Sequence, residues 1–181
     1  MKKKTLIVNL FGSPGTGKSH TAARLYGNCH EFEAELVREY AKDLVWEKRA
    51  VEFEDQMTVI GKQIKRINAV NGQVDVVFTD SPILLGAYYG KDMVLKQAIK
   101  NVHDRYWNLN IYLTRCKPYN PNGRFQTEEE SNEIAVKIKN MLDDMDVTYI
   151  EMKADGTEDE KIMDFVRNYI KTMRDMEEGR R

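Results

Sequence analysis

The run Gly12-Ser13-Pro14-Gly15-Thr16-Gly17-Lys18-Ser19 satisfies the pattern G-x-x-x-x-G-K-[ST] at every fixed position. Glycines at these spacings let backbone N–H groups turn toward phosphate oxygens, and a helix that starts here offers its positive N-terminal end to the same anion. The Lys18 ammonium then reaches the outer phosphates, and the Ser19 hydroxyl joins the shell of a magnesium ion. Gly12, Ser13, Pro14, Gly15, Thr16, Gly17, Lys18, Ser19 and the adjoining His20 are candidates for binding ATP, with Mg2+ as its companion.

Phosphoryl transfer depends mainly on positioning and charge neutralisation, so carboxylates are needed beside that loop. The stretch Val74-Asp75-Val76-Val77-Phe78-Thr79-Asp80 reads as a strand ending in an acid, which makes Asp80 the magnesium-side carboxylate. The alternative is that Asp80 merely opens the turn Asp80-Ser81-Pro82. A second acid, Glu39, follows the apolar pair Leu36-Val37 in Arg38-Glu39-Tyr40-Ala41-Lys42-Asp43. The carboxyl ends of strands in an open α/β sheet form the ligand crevice, so Glu39 is a candidate general base for an acceptor hydroxyl. A solvated first turn of a helix over residues 39–46 is the competing reading. The spacing leaves open which of Glu39 and Asp80 takes the proton.

Between residues 117 and 124 lies Lys117-Pro118-Tyr119-Asn120-Pro121-Asn122-Gly123-Arg124, too rich in Pro, Gly and Asn for regular structure. An arginine there, Arg124, can swing over a transferring phosphoryl group and exclude water. Arg115, at the end of the preceding strand, is a second cation within reach, and either is equally readable as a surface charge.

These residues need a frame. Apolar, β-rich runs at Leu6–Phe11, Ala34–Val37 and residues 74–78, 111–113 and 147–150 are separated by helix-length polar stretches. That alternation predicts a parallel sheet with helices on both faces. Helical periodicity links Phe53, Met57, Ile60, Ile64 and Ile67, and again Leu95, Ala98, Val102 and Tyr106. Thr127 to Glu130 reads as a capping box ahead of Ile134, Ile138, Met141, Leu142 and Met145. A last helix carries Ile162, Phe165, Val166, Tyr169 and Ile170. Gln56 and Gln63 flank the first stripe, where periodicity favours the solvent boundary over a substrate pocket.

The chain has 181 residues and no Pro/Gly/Ser-rich linker, which predicts one domain over 1–181. A formal net charge of −1 gives no global basic excess to attract nucleic acid. The N-terminal apolar run is interrupted too early for a signal peptide or membrane span, so a cytoplasmic protein is expected. Cys29 and Cys116 lack metal-ligand spacing, and His20, His30 and His103 are scattered, reading as surface or packing residues.

Taken in order, the Gly12-to-Ser19 loop, Arg38-Glu39-Tyr40-Ala41-Lys42, Asp80-Ser81-Pro82 and the Gly123-Arg124 loop resemble small P-loop kinases related to the ribosylnicotinamide kinase domain. They also resemble the phage-encoded P-loop ATPases and kinases grouped with them. The resemblance covers nearly the whole chain. It implies a kinase-type P-loop NTPase fold of five parallel strands, the phosphate-loop strand central and next to the Asp80 strand. It further implies that Glu39 and Asp80 flank acceptor and metal, and that the Arg124 loop is a lid. In this chain Lys117 to Asn122 replaces the acidic, tryptophan-containing stretch that those kinases carry before the Gly-Arg pair, which points to a different acceptor.

The leading expectation is therefore a magnesium-dependent kinase that moves the γ-phosphoryl of ATP to a nucleoside-like or nucleotide acceptor, with Tyr88, Tyr89, Tyr119, Trp46 and Trp107 as stacking candidates. An ATPase or ATP-dependent switch is the second class. A large hexameric motor is disfavoured because Ser81, and not a glutamate, follows Asp80. A kinase acting on a modified base or end of DNA is the third, and would require a local cationic strip. No N/T-K-x-D segment reads guanine, so adenine is the expected base. A homodimer is possible, but the sequence presents no self-complementary surface.

Overall fold

The computed structural model describes residues 3–49, 55–90, 92–120 and 126–178. Leu6–Phe11 (β1) is apolar but for Asn9 and buried at every position, as the central strand of a doubly covered parallel sheet must be. It lies between Val76–Thr79 (β3) and Trp107–Arg115 (β4), while Ala34–Val37 (β2) and Ile150–Ala154 (β5) form the edges. The sheet order is β2-β3-β1-β4-β5 and every pairing is parallel. This is the α/β kinase-type P-loop architecture, with the phosphate-loop strand central and beside the strand that precedes Asp80.

Seven helices among the described residues cover the sheet: Lys18–Asn28 (α1), Tyr40–Trp46 (α2), Gln56–Val70 (α3), Leu85–Tyr89 (α4), Met93–His103 (α5), Glu128–Asp144 (α6) and Glu158–Glu178 (α7). Side chains alternate across a strand, so β1 serves two cores. Leu6, Val8 and Leu10 pack with Ala22 and Leu25 of α1 and Ile162, Val166 and Ile170 of α7. On the other face Phe11 and Tyr112 meet Ile60 of α3, Ile99 of α5 and Ile138 and Leu142 of α6. Ile7 and Val77 pack there with Ile67. Asn9 is the polar exception. Its Nδ2 donates to Asn108 Oδ1 at 2.9 Å and to Asn110 Oδ1 at 3.0 Å, which pairs β1 and β4 in one register, since a slip would strand a buried amide.

Several boundaries and faces differ from the sequence expectation. Strand β4 starts at Trp107, four residues before the expected 111, and β5 starts at Ile150, where the expected run ends. Asn108 and Asn110 hide the first half of β4 from a hydrophobicity reading, although their amides are satisfied inside the sheet. Within the predicted stripes, Met57 is 65% exposed and Ala98 is exposed, while Gln63, expected at the solvent boundary, is only 4% exposed. The face of α3 that meets the sheet is Ile60, Gln63 and Ile67. Phe53 lies outside the described residues. His103 is buried against the lower end of β4. The capping box forms as expected: Thr127 Oγ1 accepts from the Glu130 N–H at 3.2 Å, and Glu130 Oε2 accepts from the Thr127 N–H at 2.7 Å. No helix among the described residues is long and apolar enough to cross a membrane.

Candidate functional site

Strand β1 delivers the chain directly into the glycine-rich loop, and α1 starts at Lys18 behind an N-cap Gly17 in the left-handed region. Gly12, Gly15 and Gly17 all have positive φ, at 142°, 82° and 105°. At Gly12 a side chain is excluded twice over, because a Cβ would lie 2.7 Å from the Leu113 carbonyl of β4. At Gly17 a Cβ would meet nothing within 4 Å, so the space in front of the helix start is open. Helix α1 has no side-chain cap and no acidic residue in its first turn. Its positive dipole end therefore faces that space with no acid of its own first turn to neutralise it.

Lys18 curls back over the loop, its Nζ donating to Gly12 O at 2.8 Å and Ser13 O at 3.1 Å. Thr16 Oγ1 donates to Ser13 O at 2.7 Å. Pro14 and Gly15 are half-buried on the outer bend, and Ser19 and His20 are exposed in the first turn of α1, where the His20 N–H donates to Gly17 O.

A residue that the sequence reading missed fixes the loop from the far side. Ser131, fully buried in the first turn of α6, donates its hydroxyl to Pro14 O at 2.7 Å and lies 3.2 Å from Ser13 Oγ. The capping box marks where α6 begins, but nothing local says that its fourth residue reaches a loop 117 positions away. The same helix end holds the guanidinium of Arg115, whose Nη2 donates to Glu128 Oε1 at 3.0 Å and Asn132 Oδ1 at 2.6 Å. That guanidinium also stacks over Tyr119, 5.1 Å from the ring centroid.

The two carboxylates meet across strand ends. Asp80, 5% exposed just after β3, accepts the Glu39 N–H with Oδ1 at 3.0 Å. Glu39 is the N-cap of α2, yet its side chain makes no capping hydrogen bond. The next N–H, of Tyr40, donates to Gln63 Oε1 at 3.1 Å. Burial raises the Glu39 carboxyl above its ordinary value; Lys18 opposes this and Asp80 reinforces it, so Glu39 senses both the phosphate-loop cation and the second acid. Burial, with a smaller contribution from Glu39, pushes the Tyr89 phenol up to about 12. Lys18, Glu39, Asp80 and Tyr89 thus share one crevice at the carboxyl ends of β1, β2 and β3.

Behind the loop, α1 is braced to α7. Glu158 is almost fully buried, and its Oε1 accepts from Thr21 Oγ1 at 2.9 Å and Arg24 Nη2 at 2.7 Å, while Oε2 accepts the Gly156 N–H at 2.6 Å. Burial alone would raise this carboxyl, but the backbone N–H groups, Thr21 and Arg24 hold it below the usual range.

The hard oxygens of Ser19, Asp80 and Glu39 suit magnesium, which takes one or two carboxylates with phosphates and water rather than a dedicated cage. Among the described residues there is no group of three or more His, Cys, Asp or Glu that could hold a metal ion. Of the aromatic candidates, Trp46 is 72% exposed at the far end of α2 from Glu39, and Tyr89, 45% exposed at the end of α4, is close enough to Glu39 to feel its charge. Trp107 lies at the opposite end of the sheet under Lys4. Arg124 and Gly123 lie outside the described residues.

The structure is similar to that of thymidylate kinase from Ehrlichia chaffeensis, with a TM-score of 0.57 and 15% identity over 84% of this chain and 89% of that one. At that identity the likeness concerns the fold alone. No curated protein matches the sequence. Residues 7–160 match the family described as AAA domain, a span holding the phosphate loop, both crevice carboxylates and Ser131, and the chain belongs to that family.

Proposed function

We propose that the protein is a magnesium-dependent kinase that transfers the γ-phosphoryl group of ATP to a nucleoside-like or nucleotide acceptor. The observation that carries this reading is the convergence of Glu39 and Asp80 on the crevice in front of Lys18, with the Glu39 N–H held by Asp80 at 3.0 Å. The loop from Gly12 to Gly17 and the start of α1 bind the phosphates, and Lys18 exchanges its two carbonyl partners for phosphate oxygens. Ser19 and Asp80 would hold magnesium, which when bound would supply charge neutralisation on the phosphates. Glu39 accepts the acceptor proton: its raised pKa brings it closer to neutrality than a solvated carboxylate, where a base works best. Arg124, on the segment between β4 and α6, shields the transferring group, and Tyr89 and Trp46 offer faces for a base. The protein works in the cytoplasm, as an enzyme of small molecules.

Membership of the AAA domain family supports a second reading, hydrolysis of ATP with water as the acceptor. The two are separated by titrating ATP and candidate nucleosides and nucleoside monophosphates, singly and together, into the wild type and Glu39→Gln. The kinase reading expects one acceptor to bind more tightly with a non-hydrolysable ATP analogue present, and Glu39→Gln to bind both while transferring about 100-fold or more slowly. No acceptor binding in any combination, with phosphate released at the same rate throughout, overturns it.

A further inference from the structure

Helix α2 lacks a side-chain cap of its own, and two distant side chains supply one. The Glu39 carboxylate, which in an ordinary N-cap would fold back onto the helix, makes no such bond. Instead Asp80 Oδ1 accepts the Glu39 N–H and Gln63 Oε1 accepts the Tyr40 N–H. Gln63 belongs to the face of α3 otherwise made by Ile60 and Ile67, where a buried amide is unfavourable unless both of its ends are paired. Its Nε2 lies 3.5 Å from Thr79 Oγ1, and that hydroxyl accepts the Ser81 N–H at 3.2 Å. One amide therefore touches the backbone just after Glu39 and the residue just before Asp80.

We propose that Gln63 is a positioning residue for phosphoryl transfer: by capping α2 from outside it leaves the Glu39 carboxylate facing the crevice and fixes its register against Asp80. A methylene chain at 63 would fill the volume but strand the Tyr40 N–H, which the Glu39 side chain would then be drawn to cap. A carboxylate at 63 would still accept from Tyr40 but, when ionised, could not donate to Thr79. The inference rests on the reading of Glu39 as the proton acceptor.

The test uses Gln63→Met and Gln63→Glu in the full-length chain with magnesium and γ-labelled ATP, counting label in a panel of nucleosides and nucleoside monophosphates and as free phosphate. Gln63→Met is expected to lower kcat about tenfold to a hundredfold with the KM for ATP changed less than about threefold. The rate is expressed per ATP-binding site, counted by titration with a non-hydrolysable analogue, so that a loss of folded protein does not register as a loss of kcat. Gln63→Glu should recover part of that loss, and it carries the test if Gln63→Met does not fold. Both variants at wild-type kcat, or both losing ATP affinity in step with kcat, overturn the proposal. If the wild type labels only free phosphate, the kinase reading fails by itself, and the same comparison on phosphate release decides the role of Gln63 with water as acceptor.

Discussion

Two glycines of the phosphate loop respond differently to the same one-carbon perturbation. At Gly12, alanine meets a backbone conformation of φ 142° and a Cβ only 2.7 Å from the Leu113 carbonyl, with Thr16 side-chain atoms at 3.2 Å. The carbonyl belongs to β4, paired in register with β1, and cannot withdraw without breaking the sheet. The strained φ costs about 1–2 kcal/mol and the overlap about 1–3 kcal/mol more, so Gly12→Ala should destabilise by roughly 3 kcal/mol. For a chain of this size that lowers Tm by about 6–12 °C. At Gly17 only the strained φ of 105° applies, because a Cβ there meets nothing within 4 Å. Gly17→Ala should cost about 1 kcal/mol, or about 2–4 °C, while its methyl occupies the space kept for phosphate. Thermal denaturation with and without magnesium ATP separates the two: Gly12→Ala melts early in either condition, and Gly17→Ala melts near the wild type but gains little from nucleotide. Equal melting shifts for the pair, or full stabilisation of Gly17→Ala by ATP, would refute this account of the loop.

Other consequences concern elements around the loop. Ser131→Ala leaves the half-buried Pro14 carbonyl without its hydroxyl donor, and should lower stability by about 1 kcal/mol and weaken ATP binding in calorimetric titration. Burial drives the His103 imidazole down to about 4, so the folded state keeps it neutral while the unfolded chain takes up a proton below about 6.5. Its contribution is complete above about pH 6.5 and shrinks at up to about 1.4 kcal/mol per unit as pH falls toward 4, a slope that His103→Phe should remove from urea unfolding curves measured across that range. Glu39 has the opposite sign: a carboxyl raised in the folded state stabilises at low pH and loses that contribution as pH rises through its folded pKa. Glu39→Gln should therefore unfold at equal or higher urea than the wild type at pH 8, with the margin closing toward pH 4, even though transfer is impaired.

The fold was legible because its largest signals are local. An apolar strand, a glycine-rich turn and a helix start follow one another within β1 and α1, and the capping residues of α6 announce it without tertiary information. Glu39 and Asp80 were legible as strand-end acids, since parallel sheets gather such positions at one edge. Gln63 was not, because periodicity counts a glutamine as polar whether it faces water or a backbone N–H donor from another helix. Ser131 and Glu158 escaped for the same reason: each is a polar residue whose partners stand more than a hundred positions away, at Pro14 and Thr21 respectively. Met57 failed in the other direction, an apolar residue in phase with the stripe but lying on the exposed first turn of α3. Short β2 and α4 owe their existence to neighbours more than to their own residues, and α4 carries no periodic signal at all.

The most direct test of the account follows the γ-phosphoryl group itself. With magnesium and γ-labelled ATP, and nucleosides, nucleotides and DNA offered in parallel, the account predicts label in one small nucleoside-like or nucleotide acceptor, free phosphate a minor product, and both lost in Lys18→Ala. Label appearing only as free phosphate at a rate indifferent to every acceptor, or turnover undiminished in Lys18→Ala, would contradict it.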